Sequence, residues 1–402
     1  MTQPLTAPLA SQGGRPVRDR FLPLAIPAIS DREKQLVLET LDSGWITTGH
    51  RALELAEKIA ALGGAKHGVA VNSATGALHL ALVALGIGPG DEVITSTWTF
   101  VACVNVIEHV GATPVLVDVE PDTLCMDPAA VEAAITPRTR ALLSVDFAGH
   151  PCDYARLLPI AERAGLPLIE DAAHALGAAW QGRPVGSFAT ITAYSFYATK
   201  NLTTGEGGAA VTNDEALASR MSLLSLHGMN RDAWKRYTDT GSWYYEVTAP
   251  GFKYNLSDVL AAIGLGQLER FDELQDLRRT RVARYDAQLA QVDAVRRPVT
   301  RPDVTHAWHL YPIALELERL TIDRARFIQE LRAEGIGSSV HFIPIHRHPH
   351  FRDSLRLDAA RFPVAERAYD RALSLPLFPG MSERDVDDAC EAVRRIAAHF
   401  RA

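Results

Sequence analysis

Residues Tyr194 to Gly208 read YSFYATKNLTTGEGG. Tyr194, Phe196 and Tyr197 lie in a β-rich run. The run then meets Ser195, Lys200 and a turn with Gly205, Gly207 and Gly208 around Glu206. A lysine placed where a core strand gives out admits three readings: a solvated loop residue, a phosphate ligand or a covalent catalyst. The choice depends on the fold that holds the strand.

Around this stretch the chain alternates. Short β-rich runs occur at Gly68–Val71, Glu92–Thr95, Thr113–Val119, Ala141–Phe147, Pro167–Glu170, Ile191–Tyr197 and Ala209–Thr212. Helical patterns separate most of them, among them Thr75–Leu85, Pro128–Ala134 and Ala155–Arg163, and two more precede them at Asp31–Ser43 and Arg51–Leu62. Alternating strands and helices with continuous apolar strands predict an α/β fold with a large, mostly parallel sheet covered on both faces. Ligands of such sheets bind outside the carboxyl ends of the strands. After Thr212 comes an aromatic, turn-rich loop, Gly228–Lys253, then a long helical pattern over Ser257–Val292. Strand-like HLYPIALEL, a helix near Asp323–Glu334, strand-like SSVHFIPI and a helix over Glu383–His399 then suggest a small C-terminal α+β domain. The expected organisation is a mobile leader over 1–20, a large domain over 21–255, and a linking helix with the small domain over 256–402. A chain of 402 residues is long enough to need such a division.

Composition narrows the function. The charge is 41 − 48 = −7, which argues against a nucleic-acid partner. No apolar run is long enough for a membrane span. Cys103, Cys125, Cys152 and Cys390 show neither CxxC pairing nor zinc spacing. They read as reduced thiols of a cytoplasmic protein with no metal site.

Three constellations fall near strand ends. In VAVNSATGALHLAL (Val69–Leu82) a strand passes through Ser73-Ala74-Thr75-Gly76 into a helix. Free N–H groups and hydroxyls there suit an anion, although Ser73 or Thr75 would equally serve as an ordinary N-cap. In PLIEDAAHALGA (Pro167–Ala178) a buried strand ends on Glu170-Asp171, with His174 three residues on. A carboxylate in that position needs a cation or donors. It could face a cationic ring nitrogen, or simply cap a turn. The third is Ser195 with Lys200. Taken together they supply donors for a phosphate, a carboxylate for a pyridinium nitrogen and an amine for an aldehyde, which are the requirements of pyridoxal 5′-phosphate.

The motifs SGWITTG, GIGPGDEVIT, GATPVLVDVEPDT, AITPRTRALL, IEDAAHALGA, SFYATKNLTTGEGG, GFKYNLSD and SLPLFPGM resemble those of the DegT/DnrJ/EryC1/StrS family of pyridoxal-phosphate sugar aminotransferases. The resemblance runs from about Phe21 to the last helix. It implies fold type I of the pyridoxal-phosphate enzymes and a homodimer with shared active sites. GFKYNLSD, HAWHLY and GIGSSVHF resemble, more narrowly, the branch that aminates C4 of a nucleotide-linked 4-keto sugar, as in UDP-4-amino-4-deoxy-L-arabinose formation. A C3 aminotransferase or a sugar dehydratase is the alternative. The resemblance implies Lys200 as the Schiff-base lysine and Asp171 as the partner of the ring nitrogen. It places His174 near the 3′-oxygen, Ala74, Thr75 and Ser195 on the phosphate, and Phe100 stacked on the ring, with Trp98 the other aromatic candidate. Asn255, with Lys253 possible, would reach the partner subunit's site; Thr48 and His341 would line the sugar side. The implied substrates are L-glutamate, leaving as 2-oxoglutarate, and the keto sugar nucleotide.

Overall fold

The computed structural model describes residues 8–229 and 244–402. Residues 1–7 of the expected leader and 230–243 of the expected aromatic loop lie outside the described residues.

Two helices open the large domain, α1 (Asp31–Asp42) and α2 (His50–Leu62). Ser30 and Glu33 start α1 with a reciprocal capping box. An alternating series follows: β1 (His67–Val71), α3 (Ala74–Ala84), β2 (Glu92–Ser96), α4 (Ala102–His109), β3 (Thr113–Val117), α5 (Pro128–Ala134), β4 (Thr139–Val145), α6 (Tyr154–Ala164) and β5 (Leu168–Asp171). A hairpin of β6 (Ala179–Trp180) and β7 (Arg183–Pro184) leads to β8 (Ile191–Ser195), β9 (Gly208–Thr212), α7 (Glu215–Ser225), α8 (Asp258–Glu269) and α9 (Phe271–Leu289). The C-terminal part holds β10 (Val295–Arg296), β11 (Val304–Thr305), β12 (Tyr311–Leu315), α10 (Arg324–Ala333), α11 (Pro349–Ser354), α12 (Pro363–Arg371), β13 (Ala372–Leu375) and α13 (Glu383–His399).

The main sheet has seven strands in the order β1-β9-β8-β5-β4-β2-β3. From β8 to β3 every pairing is parallel, while β9 runs antiparallel to both β8 and β1. Its strands are apolar on both faces because helices cover both: β2 and β9 are buried at every residue. One consequence positions the site. The pairings Val71↔Gly208 and Ser195↔Gly208 align the end of β1, the start of β9 and the end of β8, and Asp171 ends β5 one strand away, opposite Ala193. The three constellations therefore meet at one edge.

The seven expected strands are all present. The β6–β7 hairpin, which pairs with β11, is too short to show a period. Three expectations are corrected. The pattern over 257–292 is two helices: Ala261, Ala262, Leu265 and Phe271 join the large-domain core with α2, while Val282, Tyr285 and Leu289 of α9 join the small-domain core. Packing against the large-domain core therefore continues through α8 to the start of α9, and the rest of α9 packs in the small-domain core. SSVHFIPI is no strand. Ser339 makes one bridge to Ser374, and the segment then turns away until Ile345 N–H reaches Thr97 O. The leader is not free from residue 8 onward. Leu9 is buried, and Arg395, itself buried against Glu334, donates to Pro8 O and Arg15 O, while Glu334 accepts from Ala10 and Val17 N–H. A buried charge pair needs its remaining donors and acceptors filled; the leader backbone fills most of them, leaving Arg395 Nε without a partner among the described residues.

Candidate active site

The site begins at the turn before α3. Ser73, in extended conformation, accepts from Gly76 N–H at 3.0 Å and so is the N-cap. Ala74 and Thr75 occupy the first helical positions, where backbone N–H groups have no intrahelical acceptor and point outward. Ser195 sits half-buried at the end of β8 beside them. Gly208 makes this approach possible. A Cβ on it would lie 2.6 Å from Ala74 N and from Ser73 C, and 2.7 Å from Tyr194 O. The strand can pass under the helix N-terminus only without a side chain.

Asp171 is buried at the end of β5. Its Oδ1 accepts from Ala173 N–H at 3.0 Å and its Oδ2 from the Cys103 thiol at 2.8 Å. Burial pushes the carboxyl above its ordinary range; the thiol, the Ala173 amide and the charge of Lys200 pull it back only in part. Lys200 is half-buried in the loop after β8. Loss of solvent lowers its amine to about 8, against the pull of Asp171. The lysine is therefore not the solvated loop residue that its position alone allowed.

Aromatic and imidazole rings complete the wall. His174 is buried, and its Nδ1 accepts from Ala148 N–H at 3.2 Å, which leaves the proton on Nε2. It stacks on Phe342 at 5.8 Å and lies 4.3 Å from His309, centroid to centroid. His341 bonds Ser374 Oγ through Nδ1 at 2.9 Å. Burial foremost, and then the nearby Lys200 charge, depresses His174, His309 and His341, the last to about 4. These imidazoles are neutral at physiological pH. Phe100 is 57% exposed and 6.1 Å from Phe342, whereas Trp98 is 0% exposed and packs edge-on against Phe147. Trp98 is a core residue, so Phe100 is the accessible aromatic of the two.

Thr48, Lys253 and Asn255 form a group next to the Ser73 turn. Asn255 Nδ2 donates to Thr48 Oγ1 and Lys253 Nζ to Asn255 Oδ1, both at 2.5 Å; Thr48 in turn donates to Leu256 O at 2.6 Å. Asn72 N–H bonds Tyr254 O at 2.7 Å, tying this loop to the end of β1. Three neighbours of the site went unread in the sequence. Cys103 looked like one of four scattered thiols. His309 and Phe342 lie in HAWHLY and GIGSSVHF, where only His341 was singled out.

Comparison with known proteins agrees with this geometry. Residues 27–394 match the DegT/DnrJ/EryC1/StrS aminotransferase family. The chain is 49% identical over 380 residues to the spore coat polysaccharide biosynthesis protein SpsC of Bacillus subtilis, covering 94% of this chain and 98% of that one. Among solved structures it is similar to Spr1654 of Streptococcus pneumoniae, assigned as a sugar aminotransferase, in its PLP form (TM-score 0.88, 35% identity, 94% of this chain and 99% of that one). It is also similar to DesI with its TDP-sugar product (TM-score 0.87, 33% identity, 97% and 96%). The residues present fit pyridoxal phosphate on three counts. The Gly208 cradle keeps the amides at the N-terminus of α3 open for a phosphate. Among the described residues the buried Asp171 carboxylate has no ion-pair partner beyond the field of Lys200, and the Lys200 amine is lowered to about 8. The chain belongs to the DegT/DnrJ/EryC1/StrS aminotransferase family and is a pyridoxal-phosphate-dependent sugar aminotransferase.

Proposed function

We propose that the enzyme moves an amino group from L-glutamate to C4 of a nucleotide-linked 4-keto sugar. The observation that carries this reading is the desolvated Lys200 amine set near Asp171, at the same end of the sheet as the Ser73–Gly76 turn two strands from β8. Pyridoxal phosphate supplies an electron sink and a carrier for the transferred nitrogen. Lys200 would hold its aldehyde carbon, and its amine, once free, would take and return a proton beside the bound substrate. Asp171 would hold the proton on the ring nitrogen. Ala74 and Thr75 amides, the Thr75 hydroxyl and Ser195 bind the phosphate. Phe100 would pack on the ring, and neutral His174 would offer its Nε2–H to an oxygen of the cofactor. Thr48 and His341 line the sugar side.

Support for a nucleotide sugar comes from DesI, solved with a TDP-sugar product. SpsC, named for polysaccharide biosynthesis, favours an amino sugar destined for a surface glycan. We place two chains in a homodimer, with Asn255 and Lys253 turned towards the partner's phosphate site; Leu38, Leu41, Leu53 and Phe100 are exposed and apolar and suit a second copy. Four free, buried cysteines suit a reducing cytoplasm. No helix among the described residues is long and apolar enough to cross a membrane. Incubation with glutamate and UDP-, dTDP- and GDP-linked keto sugars tests the reading. It requires stoichiometric 2-oxoglutarate and a sugar carrying nitrogen at C4 by NMR. Nitrogen at C3 would reassign the regiochemistry, and a deoxygenated sugar would make the enzyme a dehydratase.

The lowered Lys200 pKa predicts a pH profile. Only the neutral amine attacks the aldehyde. The capture rate of pyridoxal phosphate by cofactor-free enzyme should therefore climb about tenfold per unit up to about pH 8 and level off above it. Stopped-flow absorbance checks this; a climb continuing to about pH 10, the range of an ordinary lysine, would show that the amine is not desolvated.

A further inference from the structure

Two side chains behind Asp171 have no part in the reaction as described so far. Cys103, in the first turn of α4, is 0% exposed and aims its thiol at Asp171 Oδ2, 2.8 Å away. Thr99, equally out of reach of solvent, donates its hydroxyl to Cys103 Sγ at 3.1 Å. The result is a directed chain: Thr99 O–H to Cys103 S–H to the Asp171 carboxylate. The other Asp171 oxygen has the Ala173 amide. We infer that the Thr99–Cys103 relay is a positioning device that fixes the Asp171 carboxylate for the ring nitrogen while leaving most of its negative charge free to hold the ring proton.

The chemistry of the donor supports this. A thiol is a weak donor compared with a hydroxyl, so it orients a carboxylate without quenching its charge. The thiol must keep its proton to donate. Burial and the adjacent Asp171 charge push the Cys103 thiol well above its ordinary range, so it does. Thr99, by donating to sulfur, blocks rotation of the thiol away from Asp171. Among the described residues, the ionisable groups acting on the Asp171 carboxylate are Cys103 from α4 and Lys200 from the loop after β8. Lys200 is protonated throughout the acid range, so a change in acid behaviour on altering Cys103 reports on the relay.

The inference rests on the placement of the cofactor ring against Asp171 proposed above, and the test separates the two. The probe is pyridoxamine phosphate, which forms no bond to Lys200, titrated by fluorescence against the cofactor-free full chain from about pH 5 to 8. Removing a donor from a carboxylate raises its pKa. In Cys103→Ala, Asp171 therefore takes up its proton at higher pH, and the pH at which affinity falls to half should move up by about one unit. Cys103→Ser, which restores a donor, should return the midpoint to the parent value or below. Thr99→Val, nearly isosteric and opening no cavity, should shift it in the same direction as Cys103→Ala but less, and stands in if the alanine variant does not fold. An equal loss of affinity at every pH, or a serine variant that fails to restore the midpoint, would make the pair mere packing and overturn the relay. If Asp171→Asn leaves the affinity for pyridoxamine phosphate unchanged, the ring placement itself falls. If Asp171→Asn weakens binding about tenfold or more and the Cys103 and Thr99 variants do nothing, only the relay falls.

Discussion

Lys200→Ala protein is expected to fold, to lack the visible absorption of lysine-bound pyridoxal phosphate and to lose turnover. Two contributions disappear together. One is the covalent hold on the cofactor. The other is the proton shuttle, a general acid–base role worth on the order of 10²–10⁴-fold. Folding should survive because the half-buried amine makes no hydrogen bond or ion pair among the described residues: loss of solvent lowers it to about 8, against the field of Asp171. Removing a desolvated charge relieves the folded state, so the melting temperature of the cofactor-free variant should equal or exceed that of the parent. Added methylamine should recover part of the proton transfer but not the visible band of a protein-linked cofactor. Undiminished turnover in Lys200→Ala would remove the basis of the proposed chemistry.

Asp171→Asn should have the second largest effect, and in opposite directions on two measurements. Turnover should drop on the order of 10²–10³-fold, the usual effect of deleting one preorganised electrostatic partner, because an amide cannot hold the ring proton. Stability of the cofactor-free protein should rise. The sign follows from linkage. Burial raises the folded-state pKa of Asp171 above its unfolded value, so the folded state binds the proton more tightly. Its stability therefore falls as pH climbs from the unfolded value through the raised folded value, and the full penalty is present above that window. Asparagine has no charge to desolvate. Thermal melts of the two apo proteins at neutral pH check this; a variant that is less stable and fully active would contradict both halves. A site whose catalytic groups destabilise the empty protein is a common price of function.

The legible part of the fold was the part written in apolar runs. The seven strands are short apolar runs because helices bury both faces, and α3, buried along most of its length with His79 among its apolar residues, shows as the apolar run after the Ser73 turn in VAVNSATGALHLAL. The join at Arg270 was invisible because α8 and α9 follow one another without a proline or glycine. SSVHFIPI has a strand's composition, but among the described residues its one β-bridge is that of Ser339 to Ser374, and composition does not report a missing neighbour. In the site, Lys200, Asp171, His174 and Ser195 could be read because each lies next to a strand end that the pattern marks. Cys103, His309 and Phe342 reach the same place from a helix and from two crossing segments, and only three-dimensional packing reveals them. Trp98 and Phe100 are two residues apart, and it took burial to separate the core ring from the exposed one.

The central claim is that this chain holds its cofactor through Lys200. Borohydride reduction of the enzyme loaded with pyridoxal phosphate, followed by proteolysis and mass spectrometry, tests it most directly. The predicted result is a single phosphopyridoxyl group on the peptide containing YATKNLTTGEGG, at Lys200. A label on Lys253 or another lysine, or no stoichiometric label, would contradict it.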